Sequence, residues 1–284
     1  MSNNSAKTKS EPKKKERFWE QFRRSAREDP PVFWTYLILR FFVLVALTRS
    51  IMRGDIEGAF TCVIVLLIYL LPHLIERKLD IDIPSALEII IFVFVFCAEI
   101  LGELQSYFVL YPHWDTVLHT SSGFLFAAMG FALVDLLNRS ERVKIELTPF
   151  YVALMAFCFS MTVGVLWEFI EFCMDRIFLL DMQKDTVINL ISSVALDETR
   201  SNIPIVLDGI SDVVVNGRSL GLGGYLDIGL YDTMEDLFVN LIGATVFSVI
   251  GFFEARSAKP FLMKHLLPRR RKIIADDVET KENK

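Results

Sequence analysis

Six apolar stretches, each long enough to cross a bilayer, constrain this chain more than any other feature. They run near Val32–Ile51, Ile56–Leu74, Pro84–Gln105, Trp114–Asn138, Pro149–Phe178 and Tyr231–Glu254, and a helical span needs about 20 residues. Lipid offers backbone amides no partner, so such stretches fold as helices that satisfy their own hydrogen bonds. A composition that is 52% hydrophobic agrees with an integral membrane protein. The expected fold class is all-α, a polytopic membrane protein built as a six-transmembrane-helix bundle. A long outer loop, 179–230, joins its fifth and sixth helices. The fifth stretch exceeds what a bilayer requires, so it should tilt or project from the surface.

Lysine and arginine in the flanks set the expected orientation. Residues 1–30 carry nine of them, including Lys13, Lys14 and Lys15, and residues 255–284 carry nine more, including Arg269, Arg270, Arg271 and Lys272. The loop after the second stretch has Arg77 and Lys78, and the loop after the fourth has Arg139, Arg142 and Lys144. The loop from Ser106 to His113 has none. Both termini and the even-numbered loops are therefore expected in the cytoplasm of a bacterial cell, with the chain in its plasma membrane. The organisation is a basic tail (1–30), a transmembrane domain that includes the outer loop (31–254), and a second basic tail (255–284). No apolar run follows the first residues, so no cleavable signal peptide is expected.

Residues 16–28 place Phe18, Trp19 and Phe22 among basic residues. An interfacial helix on the anionic inner leaflet fits them, and so does a solvated basic tail that acts only as a topology signal. In the outer loop, Val213 to Val215 run into Asn216-Gly217, a type I′ hairpin signal. Gly221, Gly223 and Gly224 follow without the GK[ST] of a phosphate-binding loop, so they read as turn glycines. Cys62, Cys97, Cys158 and Cys173 stand singly in apolar stretches and offer neither a disulfide framework nor a zinc motif. Membrane lipids are the expected surroundings, and no nucleic-acid partner is expected.

Acidic residues recur near one end of four of the stretches. They are Glu99 and Glu103; Asp115 with His119; Glu168, Glu171 and Asp175; and Asp232, Asp236 and Asn240. The alternating direction of the helices brings all four ends to the outer side. Within each helix the steps of three or four residues align these groups on one face. Carboxylates at membrane depth are costly and face the bundle interior or a water-filled cavity. Glu103, Asp175 and Asp232 stand where helices leave the membrane, and solvated acids account for them equally well. Asp115 and Asp232 also fit helix starts, where a carboxylate complements the dipole. Glu99, His119, Glu168, Asp236 and Asn240 lie deeper and are expected to be functional. His113 and His73 are given no role.

Two physical effects would hold so many acids together. A divalent cation would neutralise them, and this oxygen-rich set with one imidazole suits Mg²⁺, Mn²⁺ or Zn²⁺. Alternatively, crowding and burial would keep some acids protonated, as in proton relays. On the metal reading Asp115, Glu168, Glu171 and Asp236 are the expected ligands, with Asn240 orienting them. Glu99, Glu103, Asp232 and His119 complete the candidate set. Deeper on the other side, Arg40 needs a partner, and Glu88 is the expected one, with Asp135 second.

At these motifs the sequence resembles the YjdF-like family of bacterial inner-membrane proteins. The resemblance runs through Trp114-Asp115 to His119 and Gly123, then Trp167-Glu168 to Glu171, then Tyr231-Asp232 to Asp236 with Gly243 and Ala244. The sequence departs in having Leu118 where a glycine is expected before the histidine, and in its longer outer loop. The spacings Asp-x3-His and Asp-x3-Asn also resemble, more weakly, the VanZ-like proteins of glycopeptide resistance. Neither resemblance implies a substrate.

The leading expectation is metal-assisted hydrolysis or transfer on a lipid or cell-envelope precursor. His119 or a carboxylate such as Glu168 would be the general base. No serine or cysteine nucleophile stands out. A proton- or cation-coupled transporter and a non-catalytic scaffold with a structural ion remain open. Against transport, the acids gather at one face and not at the midplane, and no repeat or broken-helix signal is present.

Overall fold

The computed structural model describes residues 29–79, 81–138, 147–257, 260–261 and 265–270. The basic stretch 16–28, the loop residues Arg139, Arg142 and Lys144, and Arg271 and Lys272 lie outside them. The helices are α1 (Pro30–Arg53), α2 (Ile56–Ile68), α3 (Leu71–Leu79), α4 (Ser85–Val95), α5 (Tyr107–Leu110), α6 (Trp114–Asn138), α7 (Pro149–Phe178) and α8 (Leu230–Ala255). A π-helix over Phe96–Leu104 continues α4. Six helical units are long and apolar enough to cross a membrane: α1, Ile56–Glu76, Ser85–Leu104, Trp114–Asp135, α7 and α8.

Local chemistry sets the helix ends. Two prolines open α1, and Asp29 caps it by accepting from the Val32 amide. The Ser85 hydroxyl also bonds Asp29, which ties the starts of α1 and α4 together. At the far end Gly54 takes φ 71°, where its amide reaches Ile51 O and the Asp55 amide reaches Ser50 O. Asp55 then caps α2, accepting from the Gly58 amide at 2.9 Å. The second span was expected as one helix over Ile56–Leu74; the structure interrupts it at Tyr69 and Leu70. Pro72 has no N–H to return to Ile68, and this break is the consequence. The third span also departs from a plain α-helix. Its wider π winding leaves the Cys97 carbonyl to accept the Trp114 indole N–H at 3.3 Å.

Two apolar cores result. One joins Val43 and Ala46 of α1, Cys62 and Val65 of α2, Tyr69, Phe92 of α4 and Ile100 of the π-helix. The other joins Phe131 and Ala128 of α6, Ala156 of α7, Ala244 and Phe247 of α8, and Leu266 and Leu267 beyond them. Small residues let α6, α7 and α8 approach closely, as in other membrane bundles. A Cβ at Gly243 of α8 would lie 2.0 Å from the Thr120 carbonyl oxygen of α6. The Ser160 hydroxyl of α7 donates to the Gly123 carbonyl of α6 at 2.7 Å.

Short antiparallel strand pairs decorate the helical frame. β1 (Ile81–Asp82) pairs with β8 (Arg269–Arg270), which places the loop after α3 and the C-terminal segment on one side of the bundle. The long loop between the fifth and sixth spans, residues 179–230, carries the rest. β2 (Thr186–Ile188) pairs with β7 (Tyr225–Asp227), β3 (Ile191–Ser193) with β4 (Ile205–Leu207), and β5 (Val214–Val215) with β6 (Arg218–Ser219). The β5–β6 turn is the expected type I′, with Asn216 at φ 53° and Gly217 at φ 79°. In the same loop the Asp197 carboxylate accepts from the amides and hydroxyls of Thr199 and Ser201, and these bonds pull its pKa down to about 2. The Arg40 expectation is corrected: its guanidinium sits 4.8 Å over the Tyr36 ring, and among the described residues no ion pair joins it to Glu88. The ring stands one turn earlier on α1 and receives the cation over its face.

The α6–α8 contact gives a direct test. Gly243→Ala places a methyl group inside the contact distance of the Thr120 carbonyl, so the helices must separate. Overpacking of this kind costs about 1–3 kcal/mol. The thermal midpoint in detergent should fall clearly, while Gly209→Ala, in the open loop, should leave α6 and α8 packing unaltered by crosslinking.

Candidate metal centre

Three helices deliver the site. α6 enters the bundle at Trp114 and presents Asp115 and His119 one turn apart. α7 brings Glu168 and Glu171 near its end, and α8 brings Asp236 and Asn240 after its first turn. His119 Nε2 lies 3.5 Å from Asp115 Oδ1 and 3.6 Å from Asp236 Oδ2, and its Nδ1 lies 4.0 Å from Glu168 Oε1. The imidazole thus sits among carboxylates from all three helices. Two groups of side chains come close enough to share an ion: Asp115, His119 and Asp236, and Glu168, Glu171 and Asp236.

Burial makes the arrangement unusual. Glu168 is 4% exposed, Glu171 7%, Asp236 3% and Asn240 1%. Glu168 Oε2, Glu171 Oε2, Asp236 Oδ2 and Asn240 Oδ1 have no hydrogen-bond partner. An orphaned buried oxygen costs the full desolvation penalty of the group, about 1–3 kcal/mol and more when charged. The other Glu171 oxygen is satisfied, accepting the Trp167 indole N–H at 2.8 Å. Among the described residues, His119 is the one basic side chain with a nitrogen within 4.0 Å of these carboxylates. Arg176 stacks on Phe172 instead, and Arg49 and Arg53 line a separate groove on α1.

Asn240 fills the contact between the helices. A Cβ at Gly123 would lie 2.8 Å from its Oδ1, and one at Gly164 would lie 2.6 Å from its Nδ2. The amide is thereby clamped between α6 and α7, with Nδ2 directed at Met161 Sδ at 3.5 Å and Oδ1 left open. That suits the orienting role expected of it.

The remaining expected residues have other placements. Asp232 is half-buried and accepts the Lys184 amide at 2.9 Å. Asp175 accepts the amides of Met182 at 2.6 Å and Gln183 at 2.9 Å, so it holds the chain that leaves α7. Neither belongs to the two groups. Glu103 is exposed and Glu99 half-buried on the π-helix, and both also stand outside the groups. Ile100, next to Glu99, is buried in the α1–α2 core, so this span turns its packed side away from α7 and α8.

Gln183 was not foreseen. It comes from the loop between α7 and α8, is 7% exposed, and donates from Nε2 to Thr233 Oγ1 of α8 at 2.6 Å. Gly229, at φ 91°, makes room for it, since a Cβ there would lie 2.7 Å from Gln183 Cβ. Residues 182–184 therefore form a strap fastened by Asp175, Asp232 and Thr233 between the end of α7 and the start of α8. A lone glutamine in a loop carries no spacing signal. The Trp167–Glu171 bond, by contrast, follows from their four-residue separation.

A family described as Predicted membrane protein (DUF2238) matches residues 34–257, a stretch that contains all six spans from Trp34 onward and every residue of the site. The chain belongs to this family. A protein of Thermotoga maritima, described as an uncharacterized protein, is 28% identical over 106 residues, which cover 37% of this chain. The match spans about half of that relative, 53% of its length. No solved structure matches the chain. Together with the six apolar helices, the family identifies a multi-pass membrane protein whose buried acidic and histidine side chains have the composition and spacing of a metal site.

The strap is open to direct measurement. Asp175→Ala removes both acceptors for the Met182 and Gln183 amides. Hydrogen bonds to a charged acceptor contribute about 1.5–3 kcal/mol, so exchange at residues 182–184 should accelerate about ten- to a hundredfold. Unchanged protection there would mean that Asp232 and Thr233 hold the strap without Asp175.

Proposed function

We propose that this protein binds a divalent cation at the outer face of a bacterial plasma membrane, with both termini cytoplasmic. We further propose that it uses the cation for hydrolysis or transfer on a lipid or cell-envelope precursor. One observation carries the reading: carboxylate oxygens of Glu168, Glu171 and Asp236 converge, nearly inaccessible and each with one oxygen unpartnered, beside an imidazole. Three acids in a nearly dry pocket, with Asp115 at its mouth and His119 the one counter-charge beside them among the described residues, call for a cation. The mixed carboxylate and imidazole set suits Mg²⁺, Mn²⁺ or Zn²⁺. Such an ion supplies Lewis acidity and lowers the pKa of water.

The chain's own residues then take separate roles. Glu168 and His119, whose facing atoms lie 4.0 Å apart, handle the proton. Asp115, 28% exposed, stands at the mouth of the site. Tyr107, Tyr111 and Trp114 pack together beside it, with ring centroids 4.7 Å apart for the tyrosines and 5.0 Å for Tyr107 and Trp114. Aromatic side chains of this kind settle at the headgroup level of a bilayer. A substrate with an apolar tail and a polar head would approach there with its head toward Asp115. The YjdF-like resemblance at the same motifs supports treating them as one site. Lysine and arginine in both tails support the orientation.

Two measurements test this reading. In intact cells, an Asn202→Cys variant should react with a membrane-impermeant maleimide above the level of the parent chain, and protection of residue 202 would reverse the orientation. In detergent, EDTA should lower the thermal midpoint, because a cation that binds only the folded state stabilises it by mass action. Mn²⁺, Mg²⁺ or Zn²⁺ should restore it, and Asp236→Asn should blunt the response. A midpoint indifferent to chelators but strongly shifted by pH near neutrality would favour acids held protonated and a proton-coupled carrier.

A further inference from the structure

The metal-binding reading above leaves open how many ions the cluster takes. The two groups of potential ligands share one member. Asp115 and His119 of α6 form one with Asp236, Glu168 and Glu171 of α7 form the other with Asp236, and within each the ligand atoms lie within 4.8 Å of one another. Two ligands of the same ion are never farther apart than twice the bond length, about 4.2 Å for a bond of about 2.1 Å. No single group holds both Asp115 and Glu171, so with the side chains as they stand one ion would engage one group and leave the ligands peculiar to the other unused.

We propose that the cluster is a dinuclear centre in which Asp236 bridges two divalent cations, one held by Asp115 and His119 and the other by Glu168 and Glu171. This rests on the metal-binding reading.

Charge favours two ions. Asp115, Glu168, Glu171 and Asp236 are four carboxylates, and the last three are at most 7% exposed. Two divalent cations balance four carboxylates, whereas one leaves two negative charges uncompensated in a cluster that is largely shut off from water.

The committed and free atoms fall into the same division. His119 Nε2 points to the first group, 3.5 Å from Asp115 Oδ1 and 3.6 Å from Asp236 Oδ2. Those separations exceed a hydrogen bond, about 2.7–3.2 Å. They approach the spacing of adjacent ligands on a shared ion, about 3.0–3.4 Å for octahedral to tetrahedral geometry at a bond of about 2.1 Å. His119 Nδ1 faces Glu168 Oε1 at 4.0 Å, on the side of the ring away from the first group and beyond hydrogen-bond distance. Glu171 has Oε1 committed to the Trp167 indole, and both glutamates hold Oε2 buried and free for the second ion. Asp236 is the one side chain common to both groups, and its Oδ2 is also buried and unpartnered. Helix bundles build two-metal carboxylate sites from facing helices in this way, with the ions about 3.5–4 Å apart.

Manganese loading of the full chain in detergent tests the proposal. Elemental analysis after removal of free Mn²⁺ should give two ions per chain, and the electron paramagnetic resonance spectrum should show exchange or dipolar coupling between them. Glu171→Gln and His119→Ala should each halve the manganese content and remove the coupled signal, leaving the spectrum of an isolated ion. Asp236→Asn should lose both. One uncoupled ion per chain in the unaltered protein would overturn the dinuclear centre while leaving the metal-binding reading intact. No bound manganese, zinc or magnesium would overturn both. The count and coupling in the unaltered chain decide the question even if a variant fails to fold.

Discussion

The close crossing of α6 and α8 is the contact on which the rest of the site depends. With no side chain at Gly243, the α8 backbone rests against the Thr120 carbonyl, and with none at Gly123 and Gly164 the Asn240 side chain fits between α6 and α7. In lipid there is little hydrophobic drive to bring helices together, so small residues and interhelical polar contacts do that work. The same approach carries Asp236, one turn before Asn240, to within 3.6 Å of His119. Three helices spaced by larger residues would leave these acids separated, and each would then find water. Packing and site chemistry are thus one problem here: the glycines that permit the contact also create the burial that leaves the carboxylates without partners.

Carboxylates of one kind serve two different purposes, and their partners separate them. Asp29, Asp55, Asp175 and Asp232 all accept backbone amides, at helix starts or where the long loop leaves and rejoins the bundle. Those amides have no other acceptor nearby, so the acids complete the backbone hydrogen bonding. Glu168, Glu171 and Asp236 each keep an oxygen that no amide, hydroxyl or indole reaches. A structural acid is recognised by being used up. On that criterion Asp175, with both oxygens engaged, belongs to the architecture around the cluster, Asp232 gives one oxygen to it, and Asp236 keeps a buried oxygen that the architecture does not use.

Much of this was legible in the sequence, for identifiable reasons. Length and continuity of the apolar stretches located all six spans, and the limits of α6 and α7 were read as they stand, because Trp114, Asn138, Pro149 and Phe178 mark sharp changes of composition. Steps of three and four residues aligned Asp115 with His119 and Glu168 with Glu171, which is a local property of a helix. Alternating direction brought the acidic ends of four spans to a common depth, and three of them, on α6, α7 and α8, meet in the structure. The departures come from information that periodicity does not hold. Pro72 breaks the second span through a missing amide, the third span is wound as a π-helix, and that span packs Ile100 toward α1 and α2. Glu99 and Glu103 share the depth of the other acids without sharing their company. Depth can be inferred from one segment, whereas which side of a helix meets which neighbour is decided by contacts made across the bundle.

Gln183 shows the same limit from the opposite direction. Nothing in a loop of mixed composition singles it out, yet it is more buried than most apolar residues of α1, many of which remain exposed on the face offered to lipid. Its burial depends on Gly229, on the Thr233 hydroxyl and on Asp175, which lie in three different places in the chain. The strap that results closes the end of α7 and the start of α8 over the buried carboxylates, while the α6 side keeps Asp115 exposed. Access to the cluster is therefore asymmetric. The glutamates lie beneath a hydrogen-bonded segment, while Asp115 keeps an exposed edge and stands next to Trp114 of the ring cluster with Tyr107 and Tyr111. A site with one sealed side and one open side separates the two demands that a buried charged centre makes: exclusion of water around the glutamates, and entry for whatever the centre acts upon.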